Sequence, residues 1–189
     1  RGRGRPPRGR PRGPCRGKVR IQGMADLAYV EVLTCGEDQL GPSLLLSLER
    51  RATYGAATTV LRRYLFGVPE EIVRFCGSHQ IKLSKLAAAF ATDGRGAMGI
   101  PELVLACAEQ GLPALHIRGP RGAAEFVKAV TQTIGYPRGM KVLQADVRPS
   151  EHLVYEDEHL RVWAVAADKP HAGLPLPPPP PAPPALRPG

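Results

Sequence analysis

The sequence predicts an α/β domain, and three observations carry that prediction. Short apolar runs of strand length come first, some alternating and some continuous, between residues 18 and 66. From Pro69 onward such runs alternate with longer stretches that open on Pro-Glu and close on glycine, the punctuation of helices. At the centre, residues 83–103 (L-S-K-L-A-A-A-F-A-T-D-G-R-G-A-M-G-I-P-E-L) form one strand–loop–helix unit. In α/β domains ligands sit at such loops, because backbone N–H groups gather at the start of the helix.

Taken in order, residues 1–17 (R-G-R-G-R-P-P-R-G-R-P-R-G-P-C-R-G) cannot bury a core and are expected to be disordered. An inert tail, an RNA contact through arginine charge and an organelle transit peptide are the readings open to them. Proline and glycine disfavour the amphipathic helix that a transit peptide needs. The chain begins with Arg1 rather than Met, which predicts a fragment or a processed product.

Order is expected from Lys18. Val19-Arg20-Ile21 and Tyr29 to Leu33 alternate and predict strands. Residues 34–42 are turn-rich, and Ser43 to Leu48 predicts a third strand with a continuous leucine face. After a loose loop at residues 51–58, Thr59-Val60-Leu61 and Tyr64-Leu65-Phe66 predict another strand, broken at Arg62-Arg63. Pro69-Glu70-Glu71 opens a helix with acids in its first turn, closing near Gly77.

Leu86 to Ala91 predicts a buried strand, residues 92–99 a loop, and Pro101-Glu102 the first turn of a helix that ends at Gly111. Leu115-His116-Ile117 is a strand, Ala123 to Ile134 a long helix, and Lys141–Leu143 and Leu160–Val165 further strand pieces, with Trp163 in the core. Residues 169–189 hold ten of the 21 prolines and predict an extended linker. The ordered domain is therefore residues 18–168, long enough to bury a core.

The net charge of +9 belongs to the tails. Residues 1–17 carry seven arginines and no acid, and residues 169–189 add Lys169 and Arg187. Of 26 basic residues 17 remain for the body, against 17 acids, so the body is neutral and the net charge is no evidence for a basic binding face on the fold. Cys15, Cys35, Cys76 and Cys107 form no C-x-x-C pair, which excludes zinc-knuckle and redox spacings and predicts reduced thiols inside a cell, three of them buried. No apolar run reaches the length of a membrane span.

Gly94-Arg95-Gly96-Ala97-Met98-Gly99 is literally G-x-G-x-x-G after a strand, the dinucleotide fingerprint of an oxidoreductase. Such a site wants an acid at the end of the next strand, where Arg118 stands instead, able at best to accept a 2′-phosphate. A metal hydrolase needs several His and Asp side chains converging on open coordination positions. His79, His116, His152, His159 and His171 form no H-x-H pair, and Asp93 is the loop's one hard ligand. A single carboxylate of this kind serves more often as a turn former.

Several stretches in order resemble the N-terminal half of long-form tRNase Z, the tRNA 3′-processing endonuclease of the metallo-β-lactamase superfamily. Tyr29-Val30-Glu31-Val32-Leu33-Thr34 with Gly41-Pro42-Ser43 resembles that family's first strand and its turn. Arg63-Tyr64-Leu65-Phe66-Gly67-Val68-Pro69-Glu70 stands where the family has a strand and Asn/Asp-Cys-Gly-Glu. Ile81-Lys82-Leu83-Ser84-Lys85-Leu86 is similar to the approach to the metal motif, and Gly99-Ile100-Pro101-Glu102-Leu103 to the helix start after it. Ile117-Arg118-Gly119-Pro120 and Tyr155-Glu156-Asp157-Glu158 continue the likeness.

The resemblance implies a metallo-β-lactamase-like αββα sandwich, one degenerate half of a fused pair. The family's Thr-His-x-His-x-Asp-His, laid on Thr92, puts Asp93, Arg95, Ala97 and Met98 at the ligand positions, with Asp168 near a further one. All are the wrong residue, so this chain is expected to bind no cofactor and to be inactive alone. Zn²⁺ is expected in a C-terminal catalytic half, fused or separate, with precursor tRNA as the shared substrate. Residues 69–77 and 101–110 are the expected contacts with that half. Arg50, Arg51, Arg62, Arg63, Lys82 and Lys85 are the residues available for tRNA phosphates, although such charges more often face solvent. The mitochondrion or the nucleus is the implied compartment, with no membrane partner. A scaffold protein that reuses the fold without its metal is the alternative from another class.

Overall fold

Strand order in the main sheet follows chain order. The computed structural model describes residues 26–35, 41–50, 58–134, 139–148 and 152–165. Both tails and the strand expected at Val19-Arg20-Ile21 lie outside the described residues. Strands β1 (Asp26–Thr34), β2 (Ser43–Arg50) and β3 (Thr59–Phe66) pair antiparallel. Strands β4 (Leu86–Phe90), β5 (Ala114–Gly119) and β6 (Lys141–Asp146) then add in parallel, one beside the last. The crossovers carry helices α1 (Ile72–Ser78), α2 (Ile100–Glu109) and α3 (Ala123–Ile134).

Because each parallel strand adds on the same side of its predecessor, right-handed crossovers place all three helices on one face. That face holds the larger core, where Leu65, Ala89 and Ile117 of the sheet meet Ile72, Leu103, Val104 and Val127 of the helices. Strands β7 (Leu153–Glu156) and β8 (Arg161–Trp163) make a second, two-stranded sheet. It covers the other face, burying Val154 and Tyr155 with Tyr64, Ala88 and Phe90. The fold is mixed α/β with a central sheet, layered as helices, main sheet and second sheet; among the described residues no helix lies outside the second sheet.

Several elements differ from expectation for identifiable reasons. Strand β3 runs unbroken through Arg62-Arg63. Against β2 the register shifts at Leu61, since Leu48 pairs with Arg62 and Glu49 with Val60, and against β4 it shifts between Arg63 and Tyr64. Helix α1 has no acid in its first turn: the Ile72 amide donates to the Pro69 carbonyl in a tight turn, and the helix proper starts only afterwards. Glu71 stays outside it at φ 64 and pairs with Arg74 at 3.6 Å.

Trp163 is not core but 54% exposed, because Val162 and Ala164 take the inward positions of a three-residue strand. Of the described cysteines Cys76 and Cys107 are buried and Cys35 is exposed, which corrects the expectation of three buried thiols; Cys15 lies outside the described residues. Burial pushes the Cys76 thiol up to about 11 and the Cys107 thiol up to about 12.

Candidate functional site

The carboxyl ends of β3, β4, β5 and β6 lie at one edge of the sheet, and the loop of residues 92–99 rises there from β4. The segment leaving β3 is laced to it. Gly67 N donates to Phe90 O at 2.7 Å, Val68 N to Gly96 O at 2.8 Å, and Gly99 N to Val68 O at 2.9 Å. The contact is so close that a Cβ on Gly99 would lie 2.1 Å from the Pro69 carbonyl oxygen. Gly67, at φ 77, would meet the Pro42 carbonyl oxygen at the same distance, 2.1 Å.

Within the loop, Asp93 Oδ1 accepts from Gly96 N at 2.6 Å, folding residues Arg95–Ala97 into one turn of 3-10 helix. Ala97 N donates to Gly94 O and Met98 N to Arg95 O. The amides of Gly96, Ala97, Met98 and Gly99 are thus all engaged by the protein itself. A pyrophosphate cradle needs such amides free. The consecutive strand order also has no reversal point to open a crevice among these strands. Arg118 donates to the carbonyls of Val154, Ile117 and Leu143, stitching β5 to β6 and β7. Gly96 and Gly99 serve the packing of this loop, whereas a Cβ on Gly94 would meet open space.

The same geometry tests the loop against a metal ion. Asp93, Arg95 and Met98 are exposed, and Ala97 is buried beneath them. Asp93 offers a hard carboxylate already bonded to Gly96, Arg95 a cation, Ala97 no donor, and Met98 a thioether suited to soft ions. This donor set does not fit zinc. Among the described residues no three His, Cys, Asp or Glu side chains are grouped to hold a metal. Asp168 lies outside the described residues.

The basic residues gather elsewhere. Arg63 pairs with Leu86 at the start of β4, so Arg62, Arg63, Lys82 and Lys85 lie toward the amino end of the parallel strands, away from the loop. Arg63 is half-buried, donating from Nη1 to Lys82 O at 2.6 Å and Ser84 O at 3.0 Å, and from Nε to Ser47 Oγ at 3.4 Å. Burial draws its guanidinium below the ordinary value, against the pull of Glu31 and Glu49. Arg62 lies 3.7 Å from Glu158. Arg50, Lys82 and Lys85 are exposed, and Arg51 lies outside the described residues.

A second polar centre had no sequence signal beyond its residue types. Asp157 Oδ2 accepts from Tyr64 OH at 2.7 Å and Tyr155 OH at 2.8 Å, while Oδ1 accepts the amides of His159 and Leu160, both at 2.8 Å. Burial by itself would raise the Asp157 carboxyl, but these four donors outweigh it and hold the group below its usual range. Burial, then the bond to Asp157, pushes both tyrosine hydroxyls up. His116 meets the Tyr155 ring edge-on at 5.4 Å, and burial followed by Arg118 lowers its imidazole. Tyr64 and Asp157 are 93 residues apart, so neither could be read as the other's partner.

No family model matches the chain. It is 33% identical over 131 residues to tRNAse Z TRZ4, mitochondrial, of Arabidopsis thaliana, a match covering 66% of this chain and 12% of that protein. It is 28% identical over 157 residues to tRNase Z TRZ3, mitochondrial, of the same plant, covering 77% of this chain and 16% of that protein. The chain is a relative of tRNase Z. It spans less than a fifth of the length of these curated relatives, at the 12% and 16% just given. A solved structure of human tRNase Z, short form, is 16% identical, with a TM-score of 0.44 over 61% of this chain and 49% of that one. In this tRNase Z relative the stretches that resemble the family fall on β1, β3, the approach to β4, the start of α2, β5 and β7. They are the parts that build the sheet and its crest.

Proposed function

We propose that this chain belongs to the non-catalytic N-terminal half of a tRNA 3′-end endonuclease, supporting a zinc-bearing half and helping to position precursor tRNA. One observation carries the reading. The strand–loop–helix unit keeps its tight backbone while its ligand positions hold Asp93, Arg95, Ala97 and Met98, with the Asp93 carboxylate bonded to Gly96 N. The order of the tRNase Z-like stretches supports the family, and the residues at the ligand positions support a half without its own metal.

In this reading helices α1 and α2 face the catalytic half. Arg50, Arg62, Lys82 and Lys85 are the tRNA-facing charges, with Arg51 beside them in sequence, while Arg63 anchors the backbone of their loop. The two mitochondrial relatives favour the mitochondrion as the place of work. Among the described residues no helix is long and apolar enough to cross a membrane.

The test is zinc analysis of the purified chain together with a precursor-tRNA assay. Substoichiometric zinc and no cleavage are expected, both unchanged by Asp93→Ala. Charge reversal at Lys82 and Lys85 should weaken tRNA binding and flatten its salt dependence. Two tightly held zinc ions per chain, or cleavage by the chain alone, would overturn the proposal.

A further inference from the structure

The outward face of the second sheet carries an apolar patch beside the exposed Arg161–Glu156 ion pair. Val162 and Ala164 pack into the second core cluster, so Arg161, Trp163 and Val165 point away from it. Trp163 is 54% exposed and Val165 is 65% exposed; Leu153, opposite Trp163 across the hairpin, is 40% exposed. A large aromatic surface between two aliphatic ones is costly to leave in water.

Just beyond this patch, Leu174-Pro175-Leu176-Pro177-Pro178-Pro179-Pro180-Pro181-Ala182-Pro183-Pro184 carries no charge and eight prolines in eleven residues. Such a sequence favours the polyproline II conformation, which loses little entropy on binding and is recognised by exposed aromatic rings. The eight residues from Ala166 to Gly173 reach at most about 26–29 Å at the extended spacing per residue. Turning back along strand β8, three residues long, requires only about 10 Å. A short tether also holds the segment at an effective concentration on the order of mM, far above that of any second copy at working dilution.

We infer that residues 174–184 dock as a polyproline II helix on Trp163, Leu153 and Val165 of their own chain.

Trp163 is the sole tryptophan, so its fluorescence reports on this surface. The comparison is between the full chain and the full chain with Pro177, Pro178, Pro179, Pro180 and Pro181 changed to serine, with far-UV circular dichroism confirming an unchanged fold. The serine variant should emit further to the red and be quenched by acrylamide about twofold more, since docking shields the exposed ring. A synthetic peptide of residues 174–184, added at mM concentration, should restore the blue-shifted emission. Identical emission and quenching in the two proteins would overturn the inference. So would a shift that depends on protein concentration and persists in the serine variant, which would assign the face to a second copy of the chain.

Discussion

Replacing Asp157 with alanine tests how the second sheet is fastened. In the native chain one carboxylate oxygen serves two hydroxyls, Tyr64 OH at 2.7 Å and Tyr155 OH at 2.8 Å, on residues 0% and 6% exposed. Alanine leaves both hydroxyls of this part-buried site without that acceptor, at about 1–3 kcal/mol each. The His159 and Leu160 amides lie near the surface and rehydrate, so Asp157→Ala should cost about 3 kcal/mol in all. Tyr64→Phe instead removes a donor and leaves the carboxylate three others, for about 1–2 kcal/mol.

The triple variant Tyr64→Phe, Tyr155→Phe, Asp157→Ala has no orphaned group. It should be more stable than the sum of the separate losses predicts, by about 1–2 kcal/mol of coupling. Urea unfolding followed by far-UV circular dichroism measures all of these on one scale. A loss below about 0.5 kcal/mol for Asp157→Ala, or strict additivity in the triple variant, would refute the fastening role.

Acid should expose the same carboxylate: its folded pKa lies below the unfolded value of 3.8, so its contribution is complete above 3.8 and is lost as pH falls through the lower folded value. An acid unfolding curve for Asp157→Asn should therefore be shallower than that of the native chain. Gly99→Ala and Gly67→Ala should each lose about 2–3 kcal/mol or fail to fold, because their Cβ atoms would strike backbone carbonyls. Gly77→Ala, inside α1 with nothing within 4 Å of the added methyl, should gain about 0.5–1 kcal/mol, read by urea unfolding. Asp146→Ala removes the acceptor for Gly122 N and Ala124 N at the start of α3 and should cost about 1 kcal/mol, read as a lower Tm. In a Cys15→Ser background, a thiol reagent at pH 8 should label Cys35 at once, and Cys76 and Cys107 only after denaturation.

Where a segment's own pattern decides its structure, the sequence was enough. Helix α3 carries an apolar stripe and ends where expected, and Leu86-Ala87-Ala88-Ala89-Phe90 has the length and unbroken apolar character of the buried strand it forms. Pro101 inside the first turn of α2 and Gly111 at φ 73 after its end fixed that helix from both sides. What escaped were decisions taken across distance. Strand β7 is four residues long with exposed ends, too short for a period to show. Trp163 turned outward because its neighbours claimed the core, a competition invisible along the chain. At the loop, residue types showed that Asp93 stood without other ligands, but only the fold shows its carboxylate occupied by Gly96 N. Arg63 has the composition of an RNA contact and the geometry of a backbone staple.

A sheet whose strands are ordered as they are translated has a consequence for synthesis. Each strand from β2 to β6 leaves the ribosome with its pairing partner already made, so growth proceeds by accretion and no edge waits long for a distant segment. The exception is the Tyr64–Asp157 closure, whose second member is synthesised 93 residues after the first. Until then the back of the nascent sheet, with Phe66 and Phe90 stacked upon it, stays open to water and to chaperones.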